Sequence, residues 1–100
     1  MNTIIVQGDR ATSKVMLNGK LLNPVASQQV YNHSRDGFNW GYCGSGPAQL
    51  ALAILLETLA IPAWAVKYHQ EFKSSVISKL PMDKDFYLRL DLDEWLINNG

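Results

Sequence analysis

Residues 37–56 read GFNWGYCGSGPAQLALAILL, glycine-rich and aromatic in the first half and almost wholly apolar in the second. Pro47 suits the first position of a helix, because the N–H that proline lacks would be unpaired there anyway. Gly46 or Ser45 would then be the cap. Apolar residues lie on every face of residues 47–60, which indicates a helix buried all round. We therefore expect this segment to be the innermost helix, and it is shorter than the ~20 residues that cross a bilayer.

The composition narrows the class of protein. A chain of 100 residues is expected to form a single domain, residues 1–100, with one modest core. Nine basic and nine acidic residues give zero net charge, which argues against nucleic acid or an anionic membrane as the partner. The single Cys43 cannot form an internal disulfide, which favours a reducing, cytoplasmic location. The first residues show no charged-then-apolar leader, so no signal peptide is expected.

Short β-branched or alternating runs predict strands. They cover residues 3–7, 14–17, 20–22 and 86–90. Asn18-Gly19 separates the second run from the third and is a strong hairpin signal, because both residues tolerate positive φ. Residues 27–32 fit either a short helix or an extended piece.

Two further helices are predicted in the C-terminal half. Apolar residues recur at helical spacing over residues 63–79, after Pro62 and before Leu80-Pro81. Asp91 and Glu94 form a capping box for a short terminal helix. The pattern predicts an α+β domain, with a small antiparallel sheet, made of the N-terminal hairpin and a C-terminal strand, packed on two helices.

Several segments carry a resemblance. The most specific are FNWGY at 38–42 and GSGPAQLALAIL at 44–55, and the chain is also similar at 32–34, at Phe72-Lys73 and at Trp95-Leu96. On these residues the chain resembles a family of small microbial and viral domains described only as a domain of unknown function. The family has no established activity, so the resemblance implies a common fold and no reaction. Cys43 stands where the family pattern has a glycine, so no family-wide role for the thiol is implied.

The glycine-rich segment has two interpretations. Gly44, Ser45 and Gly46 precede the predicted helix, where free N–H groups and the helix dipole could hold an anion. The segment lacks the Lys-Ser/Thr of a P-loop and the third glycine of a dinucleotide fingerprint. The simpler interpretation is a tight turn that packs against Trp40 and Tyr42, and we favour it.

A thiol site is the less favoured enzymatic interpretation. Cys43 lies in a segment that superficially resembles a nucleophile elbow, with His33 or His69 as a base and Asp36 as its orienting group. A free cysteine is more often a small buried apolar residue. The simpler role of His33 is to bind its own loop, and that of His69 is a partly buried histidine with its hydrogen bonds satisfied. The spacing of these residues indicates no metal site, and neither a metal nor a cofactor is expected.

The polar loop before the innermost helix is the predicted binding surface. Exposed aromatic residues near an arginine there would make good interface anchors. The predicted contact residues are His33, Arg35, Trp40, Tyr42, Gly44, Ser45 and Gly46.

The first hypothesis is a non-enzymatic protein-binding or regulatory domain that docks a protein partner through residues 32–46. The viral members of the resembling family imply an accessory protein of a virus or mobile element that modulates a host system. The first alternative is a small-ligand or anion-binding module that uses the amides of residues 44–48. The second is a Cys43-dependent hydrolase or transferase. A homodimer through an apolar sheet edge or an exposed aromatic residue is left open.

Overall fold

The computed structural model describes residues 2–99 and shows a four-stranded antiparallel sheet with four α-helices. In chain order the elements are β1 (Thr3–Asp9), β2 (Lys14–Leu17), β3 (Lys20–Leu22), α1 (Val25–Val30), α2 (Ser45–Thr58), α3 (Pro62–Ser75), a 3₁₀ turn (Ile77–Lys79), β4 (Phe86–Asp91) and α4 (Leu92–Asn99). The α+β class and the terminal helix are confirmed. Residues 27–32, whose sequence fits either a short helix or an extended piece, lie mostly within helix α1.

The N-terminal hairpin forms at the predicted turn. Asn18 and Gly19 have φ of 51° and 82°, and Leu17 pairs with Lys20 across the turn. The Asn18 side chain accepts the N–H of Ile5 at 2.9 Å, which ties the turn to β1. The strand order is β3-β2-β1-β4, so the N-terminal strand β1 lies between β2 of the hairpin and the C-terminal strand β4.

Helix α2 is the innermost element. All residues from Gly46 to Leu55 are buried. The helix packs against α3 and α1, and its core cluster includes side chains from one face of the sheet, among them Ile4, Val6 and Val15. Burial of each large aliphatic side chain contributes about 1.5–3 kcal/mol, so this helix accounts for much of the core. The predicted central helix is confirmed.

The start of α2 differs from the prediction. The helix begins at Ser45 with Gly44 as its cap, so Pro47 is in the third helical position. The change is physically permitted, because the first four N–H groups of any helix lack an intrahelical acceptor. The Ala48 N–H donates to the Gly44 carbonyl at 3.0 Å and begins the helical ladder. A Cβ on Gly46 would lie 2.6 Å from the Cβ of Asn39, so glycine is needed for this first turn to pack on the preceding loop.

Helix α3 is shorter than predicted. The sequence predicts a helix over residues 63–79, whereas the helix covers Pro62–Ser75 and a 3₁₀ turn follows at Ile77–Lys79. The Ile77 side chain is fully buried, and its carbonyl accepts the N–H of Gly41 at 3.0 Å. The α-helix therefore ends just before Ile77, whose side chain packs in the core and whose carbonyl binds the loop at Gly41.

The second face of the sheet points away from the helices. Along β4, buried Phe86 is followed by Tyr87, which is 63% exposed. Tyr87 pairs with Gln7, and Met16 pairs with both Gln7 and exposed Leu21, so these four residues form one row across the strands. Because side chains alternate between the two faces of a strand, this row faces away from the buried side chains of the core.

The terminal helix is capped as predicted. The Asp91 carboxylate accepts the N–H of Glu94 at 3.1 Å. Among residues 2–99, no helix combines the length and apolar character needed to cross a membrane.

Candidate functional site

The glycines before α2 are required by close packing. Gly41 has φ of 88°, and a Cβ on it would lie 2.5 Å from the Cα of Met82. A Cβ on Gly44 would lie 2.4 Å from the ring of Tyr42. These approaches support the interpretation of the segment as a tight packed turn. Gly46 is buried, while Ser45 is exposed at the start of α2.

Trp40 belongs to the core, which corrects its expected place among the exposed contact residues. Its side chain is 0% exposed and meets Phe86 edge-on, with ring centroids 4.8 Å apart. Its indole N–H donates to the Lys84 carbonyl at 3.2 Å. The segment between two glycines turns inward here, so an aromatic residue in a polar loop is not necessarily on the surface.

Arg10 holds the Trp40 side of the loop and was not singled out from the sequence. Its guanidinium lies 4.3 Å from the Trp40 ring and donates to the Asn39 side chain at 2.9 Å. It also donates to the Met82 carbonyl at 3.0 Å and to the Ser13 hydroxyl at 2.8 Å. Arg10 thus connects its own turn at Ser13 to the segments at residues 39–40 and at Met82. No local sequence pattern predicts contacts between segments so far apart.

Gln49 holds the other side of the loop and was also missed. Its side chain is 0% exposed on α2. Its carbonyl oxygen accepts the N–H groups of His33 and Ser34 at 2.7 and 2.9 Å. Its amide nitrogen donates to the Ser27 hydroxyl at 2.9 Å and to the Tyr31 carbonyl at 3.1 Å. The Gln49 amide therefore uses both of its N–H donors and both acceptor positions of its oxygen. The sequence signal for this role is that Gln49 is the one polar residue in the apolar run at 47–56.

His33 and His69 meet through their Nε2 atoms, which are 2.9 Å apart. The Nδ1 of His69 lies 2.6 Å from the Val66 carbonyl. Because a carbonyl only accepts, Nδ1 of His69 carries the proton; in the neutral pair Nε2 of His69 therefore accepts and Nε2 of His33 donates. Both ring nitrogens of His69 are bonded, as expected from the sequence, but the side chain is more deeply buried than expected, at 4% exposure.

The environment of His33 disfavours its charged form. Burial lowers the pKa of His33 below its usual 6.5, and the nearby His69 and Lys73 lower it further by repulsion. Desolvation first, and then the neighbouring groups on α3, therefore favour the neutral form of the His33 imidazole.

The exposed part of the loop carries aromatic and charged side chains. Tyr31 is 57% exposed and stacks on the His33 ring, with centroids 4.2 Å apart and an interplanar angle of 27°. Arg35 is exposed two residues after His33, and Tyr42 is 38% exposed beside Gly44. The structure thus brings Tyr31 and His33 together as one surface feature.

Among residues 2–99, no hydrogen bond joins Cys43 to the other residues of the hypothetical thiol site. Cys43 is exposed and free. The Nε2 atoms of the two histidines are occupied by each other, and Nδ1 of His69 by the Val66 carbonyl. Among residues 2–99, no three histidine, cysteine, aspartate or glutamate side chains are grouped so that they could hold a metal ion.

Comparison with known proteins places the chain in a family. A family model described as a family of unknown function (DUF6166) matches residues 6–98. The match covers the β2–β3 hairpin and the whole loop before α2. No curated protein and no solved structure matches the chain. The resemblance drawn from the sequence is thereby confirmed, and the chain belongs to the family of unknown function DUF6166.

Proposed function

We propose that this chain is a non-enzymatic protein-binding or regulatory domain that docks a protein partner through residues 32–46 and the adjoining Tyr31. The observation that carries the proposal is the complete hydrogen bonding of Gln49, which fixes the backbone of residues 31–34 from inside the core. A loop fixed before binding loses less conformational entropy when a partner arrives.

The exposed side chains suit protein recognition. Tyrosine and arginine are enriched among the residues that dominate binding energy. Tyr31 and Arg35 supply both types, and Tyr42 adds a second exposed aromatic ring. Trp40 supports this surface indirectly, because its buried side chain packs the loop onto the core.

The alternatives rest on weaker features. An anion-binding module would use the amides at the start of α2, but the Ala48 N–H is already taken by the Gly44 carbonyl. A Cys43-dependent enzyme would need a base, and no histidine is hydrogen-bonded to the thiol among residues 2–99. We extend the proposal to an accessory protein of a virus or mobile element that acts in the host cytoplasm. This extension rests only on the viral members that the sequence resemblance implies.

Capture of partners from the native host tests the proposal. Affinity-tagged wild-type chain and the Tyr31→Ala/Arg35→Ala double variant are compared by mass spectrometry of co-purified proteins. Tyr87→Ala on the outer sheet face is the matched control, since Tyr87 is 63% exposed. We expect a protein captured by the wild type and the control and lost from the double variant, with circular dichroism unchanged. Equal capture by all three chains contradicts docking through this loop.

A further inference from the structure

The facing imidazoles can hold one extra proton more easily than two. In the neutral pair, His33 donates to His69, as the Val66 contact requires. With one added proton, one ring still donates and the other accepts, so the 2.9 Å contact remains a hydrogen bond. With two, both facing nitrogens are donors, the hydrogen bond is lost, and two positive charges lie against each other.

We propose that the His33–His69 pair is a proton-operated latch. The latch is closed while the pair holds at most one added proton, and the second added proton opens it. Opening moves Tyr31, which adjoins the proposed docking segment at residues 32–46. A role of the latch in regulating partner binding rests on the function proposed above. The opening of the latch in the free protein does not depend on that function.

The direction of opening follows from burial. His69 lies in the core at the base of the contact, while His33 is only partly buried and borders solvent. His33 is therefore the ring that leaves. Its backbone N–H remains bonded to Gln49, so the loop stays attached while the side chain swings. Tyr31 stacks on that ring, so its packing surface moves with it.

The groups around His33 favour opening over stabilisation of a doubly charged pair. On α3 the neighbouring groups are His69 and the ammonium of Lys73, both cationic when protonated. On α2 the facing group is the Gln49 amide, which does not titrate. On its own loop the contact is the Tyr31 ring, and Arg35 and Asp36 follow two and three residues later. No carboxylate is hydrogen-bonded to either imidazole among residues 2–99.

A proton suits this site better than a metal ion. No third protein ligand is grouped with the histidines among residues 2–99. The Nε2 atoms are 2.9 Å apart while the ring centroids are 5.0 Å apart, so the nitrogens lie between the rings and face each other. A metal would require both nitrogens to face a common third point instead.

Nuclear magnetic resonance of the partner-free protein tests the latch. Histidine ring nitrogens, the Tyr31 ring and the amides of residues 31–34 are followed from pH 8 to pH 4.5 in wild type and in His33→Gln. Glutamine keeps a neutral N–H donor for His69 but cannot take the second proton. We expect a titration step below 6.5 in the wild type, with Tyr31 and loop shifts at the same midpoint, and no such shifts in His33→Gln.

The latch is overturned by Tyr31 signals that do not change with pH in the wild type, or by the same changes in His33→Gln. Lys73→Gln provides a second variant outside the pair. Loss of its charge should move the second step toward 6.5 without changing the loop signals at pH 8, and an unmoved step also contradicts the proposal. Because no partner is present, a failed docking experiment leaves this result unaffected.

Discussion

The Gln49 side-chain carbonyl accepts the backbone N–H of His33 at 2.7 Å, although the two residues are 16 positions apart in the chain. This contact joins the innermost helix to the surface loop that carries Tyr31. The same amide also bonds Ser27 of α1, so a single buried side chain fixes two segments against α2. The shape of the candidate docking surface is therefore determined from inside the core.

Gln49→Leu is expected to destabilise the protein by about 2–4 kcal/mol. The substitution replaces the amide with an apolar side chain of similar size and removes the hydrogen bonds to Ser27 and Tyr31. It leaves the Ser34 N–H without its acceptor and the His33 N–H with only the Tyr31 carbonyl at 3.2 Å, and each unsatisfied buried group costs roughly 1–3 kcal/mol. Urea denaturation measures the change in free energy of unfolding. Gln29→Leu is the matched control, because Gln29 is exposed on α1 and should change stability by less than about 0.5 kcal/mol. Equal effects of the two substitutions would show that the Gln49 contacts contribute nothing specific.

Gly41→Ala is expected to cost more than Gly19→Ala. Both glycines have positive φ, 88° and 82°, so both substitutions incur backbone strain of roughly 1 kcal/mol or more. Only at Gly41 would the new Cβ meet backbone, 2.5 Å from the Cα of Met82, whereas Gly19 has open space around it. Overpacking adds about 1–3 kcal/mol at Gly41 alone. The difference between the two melting curves isolates this packing, and indistinguishable curves would refute it.

The secondary structure could be predicted because its signals are local. Asn18-Gly19 selects a hairpin turn, Pro62 starts a helix, and Asp91 caps another, each through its own backbone preference. The continuous apolar run likewise identified α2 as the innermost helix. The helix ends were less exact, because the start at Ser45 depends on how Gly46 packs against Asn39, which lies outside the helix.

The site could not be predicted to the same degree because its contacts are distant in the chain. His33 and His69 are 36 positions apart, and Arg10 reaches Met82 across 72. Neither separation corresponds to any helical or strand period. Trp40 shows the same limit, because its burial depends on the close approach at Gly41 and on the Phe86 ring from β4.

Stability is expected to fall in mild acid because of His33. Its pKa is lower in the folded chain than its usual 6.5, through burial first and then through His69 and Lys73, so the unfolded chain binds more protons. The free energy of unfolding therefore rises with pH in this range. The contribution of His33 is fully present above 6.5 and is lost as pH falls through the lower, folded pKa.

Urea denaturation at pH 7.5 and pH 5.0 measures this loss in wild type and in His33→Gln. The decrease between the two pH values should be smaller in His33→Gln, because the variant has no titrating group at this position. Every other titratable group is present in both chains, and His69 alone loses its contact with His33 in the variant, so the difference between the two decreases measures the His33–His69 pair. A decrease of the same size in both chains would assign the acid sensitivity to other residues.

Cys43→Gly is expected to leave both stability and partner capture unchanged. The thiol is exposed, makes no disulfide, and lies in a loop whose shape is set by Gly41 and by the Tyr42–Gly44 contact. Surface substitutions of this kind usually change stability by less than about 0.5 kcal/mol. The same capture experiment reads out function, with Cys43→Ser as the variant that keeps a Cβ and removes only the sulfur. If both variants fold normally and both lose all function, the thiol is chemically required, and the cysteine-dependent enzyme becomes the better hypothesis.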